Sequence, residues 1–144
     1  MPGKFEISLP DNFIPAVDPH PGSLIHYEDT LRNRFFLIIG ESKDSLTAYE
    51  LSYNISGYFE EAVKNLESKF PGCSVSKPEP VNAQKASGFR CSLRGKNGSQ
   101  DLSYEFYALE SEHYFFQLLG GFAAEDSSAS KDLFGKIFPG FSGY

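Results

Sequence analysis

The sequence predicts an α+β protein, a three-layer α/β/α sandwich with a central, mainly antiparallel sheet and one main helix on each face. Three observations predict it. Two runs, Phe35 to Ile39 and Tyr114 to Leu119, are apolar enough to need cover on both faces. Two other segments each carry one apolar stripe at helical spacing, so each can cover one face of a sheet. An Asn97-Gly98 pair joins two alternating segments through a turn too short for a parallel connection. At 144 residues the chain has the length of one domain, expected to span 1–144. A chain of this size can hide about 68% of its unfolded surface, so it needs no disulfide or metal staple.

The elements follow in order. Lys4 to Leu9 alternates, with Phe5, Ile7 and Leu9 against Glu6 and Ser8, as in a half-buried strand. Pro10 to Gly22 holds four of the nine prolines and reads as irregular. Leu24 to Glu28 is a short strand, and Phe35 to Ile39 a central one. In 54–70, Ile55, Phe59, Ala62, Val63, Leu66 and Phe70 form one stripe, opposite Glu60, Glu61, Lys64, Glu67 and Lys69. Pro71-Gly72 stops this helix, and Thr47-x-x-Glu50 has the form of a capping box for an earlier first turn.

A two-residue loop at Asn97-Gly98 pairs Lys96 with Ser99 and fixes a register. Leu93 then faces Leu102, Cys91 faces Tyr104 and Phe89 faces Phe106, all on one side. The other side pairs Arg94 with Asp101, Ser92 with Ser103 and Arg90 with Glu105. Glu110 to Glu112 reads as a turn and His113 to Leu119 as a strand, loosened at Gly120-Gly121. Ser128 or Ser130 caps a last helix with the stripe Leu133, Phe134, Ile137 and Phe138, ended by Pro139-Gly140.

Composition excludes several functions. The net charge is −6, and the 13 basic residues are scattered, whereas a nucleic-acid site needs a basic cluster. No apolar run approaches the roughly 20 residues that span a bilayer. If Met1 is the native start, the expected location is cytoplasmic. If a leader was removed, it is the cell envelope or periplasm.

No motif carries catalysis. His20, His26 and His113 have neither metal-ligand spacing nor a close partner beyond Asp18 or Glu28, so no metal and no cofactor are expected. No Gly-x-Ser-x-Gly elbow is present, although a small hydrolase using a single histidine stays as the alternative from another class. Cys73 and Cys91 match no zinc motif, and Cys91 faces the predicted core. Gly95 to Ser99 joins two strands, whereas a phosphate loop joins a strand to a helix. The sequons at Asn54 and Asn97 read as structural.

Fourteen Phe and eight Tyr make 15% of the chain, with no Trp. Most alternate into core positions. Tyr27, Tyr49, Tyr53, Tyr58 and Tyr107 do not all fit inside, and a ring with a polar tip suits a binding surface. These five are the expected binding residues.

The succession of Phe5-x-Ile7-x-Leu9-Pro10, Ser23 to Tyr27, Phe35 to Ile39, the helix, the Asn-Gly hairpin, Tyr114 to Phe116 and a last helix ending in Phe138-Pro-Gly-Phe141 resembles the PsbP-like (Mog-type) α/β/α sandwich, including its small bacterial members. The resemblance covers nearly the whole chain. It implies a non-catalytic binding or accessory role with a protein partner, as in photosystem accessory proteins, a Ran-GTPase-binding factor, DcrB-like envelope proteins and Eag-type chaperones. A chaperone holding an apolar segment of a secreted partner is the alternative within binding, and a homodimer is left open. The resemblance carries over no catalytic residue.

Overall fold

In the computed structural model, residues 5–7, 13–18, 23–29, 34–48, 54–70, 72–97, 100–123, 132, 135–137 and 141–143 are described. Strand β1 (Phe5–Glu6) is followed by β2 (Ile14–Pro15), β3 (Ile25–Asp29) and β4 (Arg34–Ser42). Helices α1 (Lys43–Ala48) and α2 (Ile55–Lys69) come next. Then follow β5 (Ser74–Val75), β6 (Glu79–Ala83), β7 (Ala86–Asn97), β8 (Gln100–Glu110), β9 (Tyr114–Ala123) and β10 (Ser142–Gly143). An eight-stranded sheet runs in the order β2-β3-β4-β9-β8-β7-β5, with β6 also on β7. Every strand pairing in it is antiparallel. The architecture is an α+β fold with helices packed against a large antiparallel sheet.

The expected central strand is β4. Phe36, Leu37 and Ile38 are all buried although they alternate between faces, as a doubly covered strand requires. The other long run is β9, which continues through Gly120 and Gly121 to Ala123. Gly121 continues the strand because it leaves space for a ring. A Cβ there would collide with the side chain of Phe35 on β4.

The striped helix is α2, and Tyr58, Phe59, Ala62 and Val63 are its buried residues. Its start is set by Asn54, whose side chain accepts a 2.7 Å hydrogen bond from the Gly57 backbone N–H. An N-cap of this kind contributes about 1 kcal/mol. Thr47 is no cap, contrary to expectation, because it lies inside α1. Asn54 supplies a better-placed oxygen seven residues later.

The hairpin forms with the expected faces and a different register. Asn97 pairs with Gln100, so Leu93 faces Tyr104, Cys91 faces Phe106 and Arg90 faces Tyr107. The pairing expected between Cys91 and Tyr104 is therefore corrected by two residues. Such a shift keeps every side chain on its own face, so the apolar pattern cannot oppose it. Gly98-Ser99 also carries hairpin chemistry, with glycine first of the two central residues. The charges adjust. Lys96 takes the place of Arg94 beside Asp101, at 3.8 Å, while Arg90 still reaches Glu105 diagonally, at 3.2 Å.

Three more expectations change. β1 pairs with β10 in a separate two-stranded sheet. β2 falls in the stretch expected to be irregular, where Pro15 sits on a sheet edge. His113 precedes β9 and is exposed. β5 and β6 were not expected, and Pro80 is tolerated because β6 has no partner on its outer side among the described residues. Of the last helix, residue 132 and residues 135–137 are helical, and Ile137 is buried. Leu133, Phe134 and Phe138 lie outside the described residues.

The two faces hold separate cores. One joins Phe36, Ile38, Tyr107, Leu109, Phe116 and Leu118 to Phe13, Ile137 and Phe141. The other joins Leu93, Cys91, Phe106, Ala108 and Phe115 to α2.

Two outcomes follow from this packing. A Cβ on Gly88 of β7 would strike the backbone oxygen of Ala108 across the ladder, which no side-chain rotation relieves. Gly88→Ala is expected to lower stability by about 3 kcal/mol, read by urea denaturation; an unchanged midpoint would contradict the close approach. Burial pushes the Cys91 thiol up to about 11, from 9.0. Only the thiolate alkylates, so at pH 8 native Cys91 should resist iodoacetamide while half-buried Cys73 reacts first. The unfolded chain releases this proton near pH 9 and the folded chain only near 11. Stability should therefore fall as pH rises through that interval, and a Cys91→Ala chain should lose this part of the fall.

Candidate functional site

α2 crosses its face of the sheet obliquely. Near its start, Tyr58 stacks on Phe115 of β9 with ring centroids 4.5 Å apart. At its end, Phe70 meets Tyr104 of β8 edge to face at 5.1 Å. The helix packs on β7 and β8, to one side of β3 and β4. A cavity of about 640 Å³ fills this angle.

Its floor follows from strand parity. Phe35, Leu37 and Ile39 of β4 alternate toward α2, and the register sets Leu37 beside Leu119 and Ile39 beside Gln117. His26 and Glu28 line it from β3, Tyr104 and Phe106 from β8, and Leu93 and Lys96 from β7. Ala62, Asn65, Leu66, Lys69 and Phe70 form the helical wall. Aromatic rings run across the floor in edge-to-face contact. His26 lies 5.8 Å from Phe35, Phe35 lies 5.9 Å from Tyr104, and Phe70 follows. Such pairs contribute roughly 0.5–1.5 kcal/mol each beyond their burial. Burial raises the Tyr104 phenol above its usual range, so it stays a neutral group at physiological pH.

Polar groups in the cavity are few. His26 Nε2 and Glu28 Oε1 are 3.9 Å apart. Gln117 has a defined orientation. Its Nε2 donates to Tyr58 Oη at 3.1 Å, and Tyr58 Oη donates to Glu41 Oε1 at 2.7 Å. No Ser, Thr or Cys lines the cavity among the described residues. Among those residues no three His, Cys, Asp or Glu side chains gather as a metal site.

The expected tyrosines do not make one surface. Tyr58 is 4% exposed and holds Gln117 from behind. Tyr107 is 8% exposed, on the opposite face, where burial raises its phenol and Arg90 lies 5.8 Å from its ring. Tyr27 is half-buried and packs on that same opposite core. Tyr49 and Tyr53 lie outside the described residues. Tyr58 and Tyr107 therefore serve as core side chains, because their strand and helix parity points them inward. Phe35, Tyr104, Gln117 and Lys69 line the cavity instead. The signal that could have found them was parity, since Phe35, Leu37 and Ile39 must share one face of β4.

The opposite face has a buried polar cluster. Glu105 is 2% exposed; its Oε2 accepts from Ser92 Oγ at 2.6 Å and from Arg90 Nη2 at 3.2 Å. Arg90 Nη1 donates to Glu79 at 3.1 Å. One arginine thereby ties β6, β7 and β8 together. Glu105 Oε1 and Ser103 Oγ are buried with no hydrogen-bond partner among the described residues.

No family model matches the sequence, and no curated protein matches it. Solved structures do resemble the fold. LpqN, which is involved in cell envelope biogenesis of Mycobacterium tuberculosis, superposes with a TM-score of 0.67 at 13% identity, over 99% of this chain and 85% of that one. The cyanobacterial PsbP of Synechocystis gives 0.66 at 15% identity, over 98% and 87%. PA94 of Pseudomonas aeruginosa, a protein of unknown function, gives 0.59 at 12% identity, over 91% and 79%. At these identities the likeness is one of fold, and the sheet and helix arrangement of this chain is similar to that of the PsbP-like proteins.

Proposed function

We propose that this chain is a PsbP-like, non-catalytic accessory domain spanning 1–144 that binds a protein partner in the cavity between α2 and β3-β4-β9. The supporting observation is the floor itself. Phe35, Leu37, Ile39 and Leu119 form an apolar floor beside α2, with Asn65, Lys69, Glu28 and Lys96 among the residues around it. An apolar centre inside a polar margin is the anatomy of a protein-binding patch. Among the described residues the lining holds no Ser, Thr or Cys beside His26, which favours binding over hydrolysis.

The reading extends to the architecture. The helical residues 135–137, with Ile137 in the core opposite α2, support a second helical layer and hence a three-layer sandwich. The broad coverage of LpqN and PsbP supports family membership. The role in cell envelope biogenesis stated for LpqN supports an accessory role among other proteins.

The test is affinity capture from the native cells with three forms of the chain. The unaltered chain should retain a protein, and Leu66→Glu, which places a charge on the helical wall, should lose it. Glu60→Gln, on the outward face of α2, should keep it. Circular dichroism and thermal melting of the Leu66→Glu chain confirm that it is folded. Equal capture by all three forms would overturn the reading, as would native mass spectrometry showing only a small molecule in the cavity.

A further inference from the structure

The cavity carries opposite charges at the two ends of one register line. Glu28 of β3 stands opposite Phe35 of β4, Phe35 opposite Gly121 of β9, and Gly121 opposite Tyr104 of β8. Gly121 brings no side chain, so the Phe35 ring lies across it, 5.9 Å from the Tyr104 ring. Phe70, at the end of α2, closes the line 5.1 Å from Tyr104. The floor along this line is a row of rings. Glu28 lines its β3 end, and Lys69, the chain neighbour of Phe70, lines the other. Lys96 follows Gly95, against which Phe70 packs, and lines the cavity as well.

Neither end is spent on the fold. Glu28 lies 3.9 Å from His26 Nε2, too far for a hydrogen bond, and its side chain is 35% exposed. Lys69 takes part in no ion pair among the described residues. Lys96 meets Asp101 at 3.8 Å with both side chains largely exposed, a pairing that contributes little. Rim charges of this kind select a partner and its orientation. The β3 end is also open outward. β2 is the last strand on that side among the described residues, and Ile14, opposite Glu28, is 51% exposed. A chain lying on the row can therefore run on past the sheet edge, which suits a segment of a longer polypeptide. The ring-to-ring steps from His26 to Phe70 are 5.8, 5.9 and 5.1 Å. Roughly five residues of extended chain, at about 3.3 Å each, cover them.

We propose that the cavity receives an extended segment of the partner with the pattern basic-x-apolar-x-acidic, read in either direction. The central side chain lies on the rings, the cation meets Glu28, and the carboxylate meets Lys69 and Lys96. This rests on the reading of the cavity as the binding site, and it names the chemistry of what enters it. The spacing follows from strand geometry. Alternate residues of an extended chain point to one side, so the three side chains can face the floor together. A segment with like charges at both ends sets one of them against its own sign, which is how a rim rejects a wrong partner. Lys69 also stands in the last turn of α2, where a cation favours the helix dipole. Selectivity and stability are therefore read separately.

The probes are three acetylated and amidated pentapeptides, Lys-Thr-Trp-Thr-Glu, Lys-Thr-Trp-Thr-Lys and Glu-Thr-Trp-Thr-Glu. The chain itself contains no Trp, so indole emission follows the peptide alone. The unaltered chain should bind the mixed peptide roughly fivefold more tightly than either like-charged one. Glu28→Lys makes both ends basic and should pass the preference to the doubly acidic peptide. Lys69→Glu with Lys96→Gln makes both ends acidic and should pass it to the doubly basic one. Melting temperatures show whether these chains are folded. Glu28→Gln, which removes a charge without reversing it, should erase the preference for the mixed peptide over the doubly acidic one. The net charge of −6 attracts the doubly basic peptide to every form of the chain. If that peptide binds most tightly throughout, the attraction is a bulk one and the proposal is overturned. Equal binding of all three peptides, or no change in emission with any of them, overturns it as well. If partner capture still depends on Leu66 in that case, the binding cavity stands and only the charge pattern of its occupant is wrong.

Discussion

Burial of the central strands on both faces is the constraint on which the rest depends. Ile38, Leu109, Phe116 and Leu118 are at most 1% exposed toward one side of the sheet, while Phe106, Ala108 and Leu93 are as deeply buried toward the other. Apolar strands with two paired neighbours cannot leave either face to water, so each face needs its own cover. An α-helix about 10 Å across spans roughly two strands spaced about 4.8 Å apart. One helix therefore cannot close a face of an eight-stranded sheet. α2 packs on β7 and β8, and the cavity lies between it and the β3–β4 side. The cavity is the remainder of that mismatch, and its apolar floor is the same surface that closes the core elsewhere.

Ring size and missing side chains are matched across the sheet. Phe35 lies over Gly121, and Phe70 lies against Gly95, where in each case a Cβ would strike the ring. Each glycine gives up side-chain contacts of its own so that an aromatic ring can lie across the neighbouring strand. This explains much of the aromatic content. Rings fill wide gaps between layers with few rotatable bonds, and here they contact one another edge to face.

What could be read from the sequence divides along physical lines. The apolar run of β4, the stripe of α2 and both faces of the hairpin were readable because burial writes a period into the residues. The hairpin register was not, since a two-residue shift leaves that period intact and two neighbouring dipeptides, Asn97-Gly98 and Gly98-Ser99, both suit a tight turn. β5 and β6 were missed because Ser, Lys, Pro and Glu surround them and pairing to β7 lays them down. The cavity was missed for a different reason. It depends on the angle at which α2 crosses the strands, and no periodicity encodes an angle.

The tyrosines show how the same residue type can matter without being exposed. Counting surplus rings suggested a surface of tyrosines, yet Tyr58 acts from within. Its hydroxyl sits between a carboxylate that can only accept and an amide that can do either. The direction of the first hydrogen bond therefore decides the direction of the second. A buried residue thus sets which way the Gln117 amide faces. Burial strengthens this control, because a half-satisfied chain of hydrogen bonds in a low dielectric is costly and a reversed amide would face acceptor to acceptor. The chemistry the cavity offers is accordingly set one layer beneath its surface, where composition and exposure alone give no sign of it.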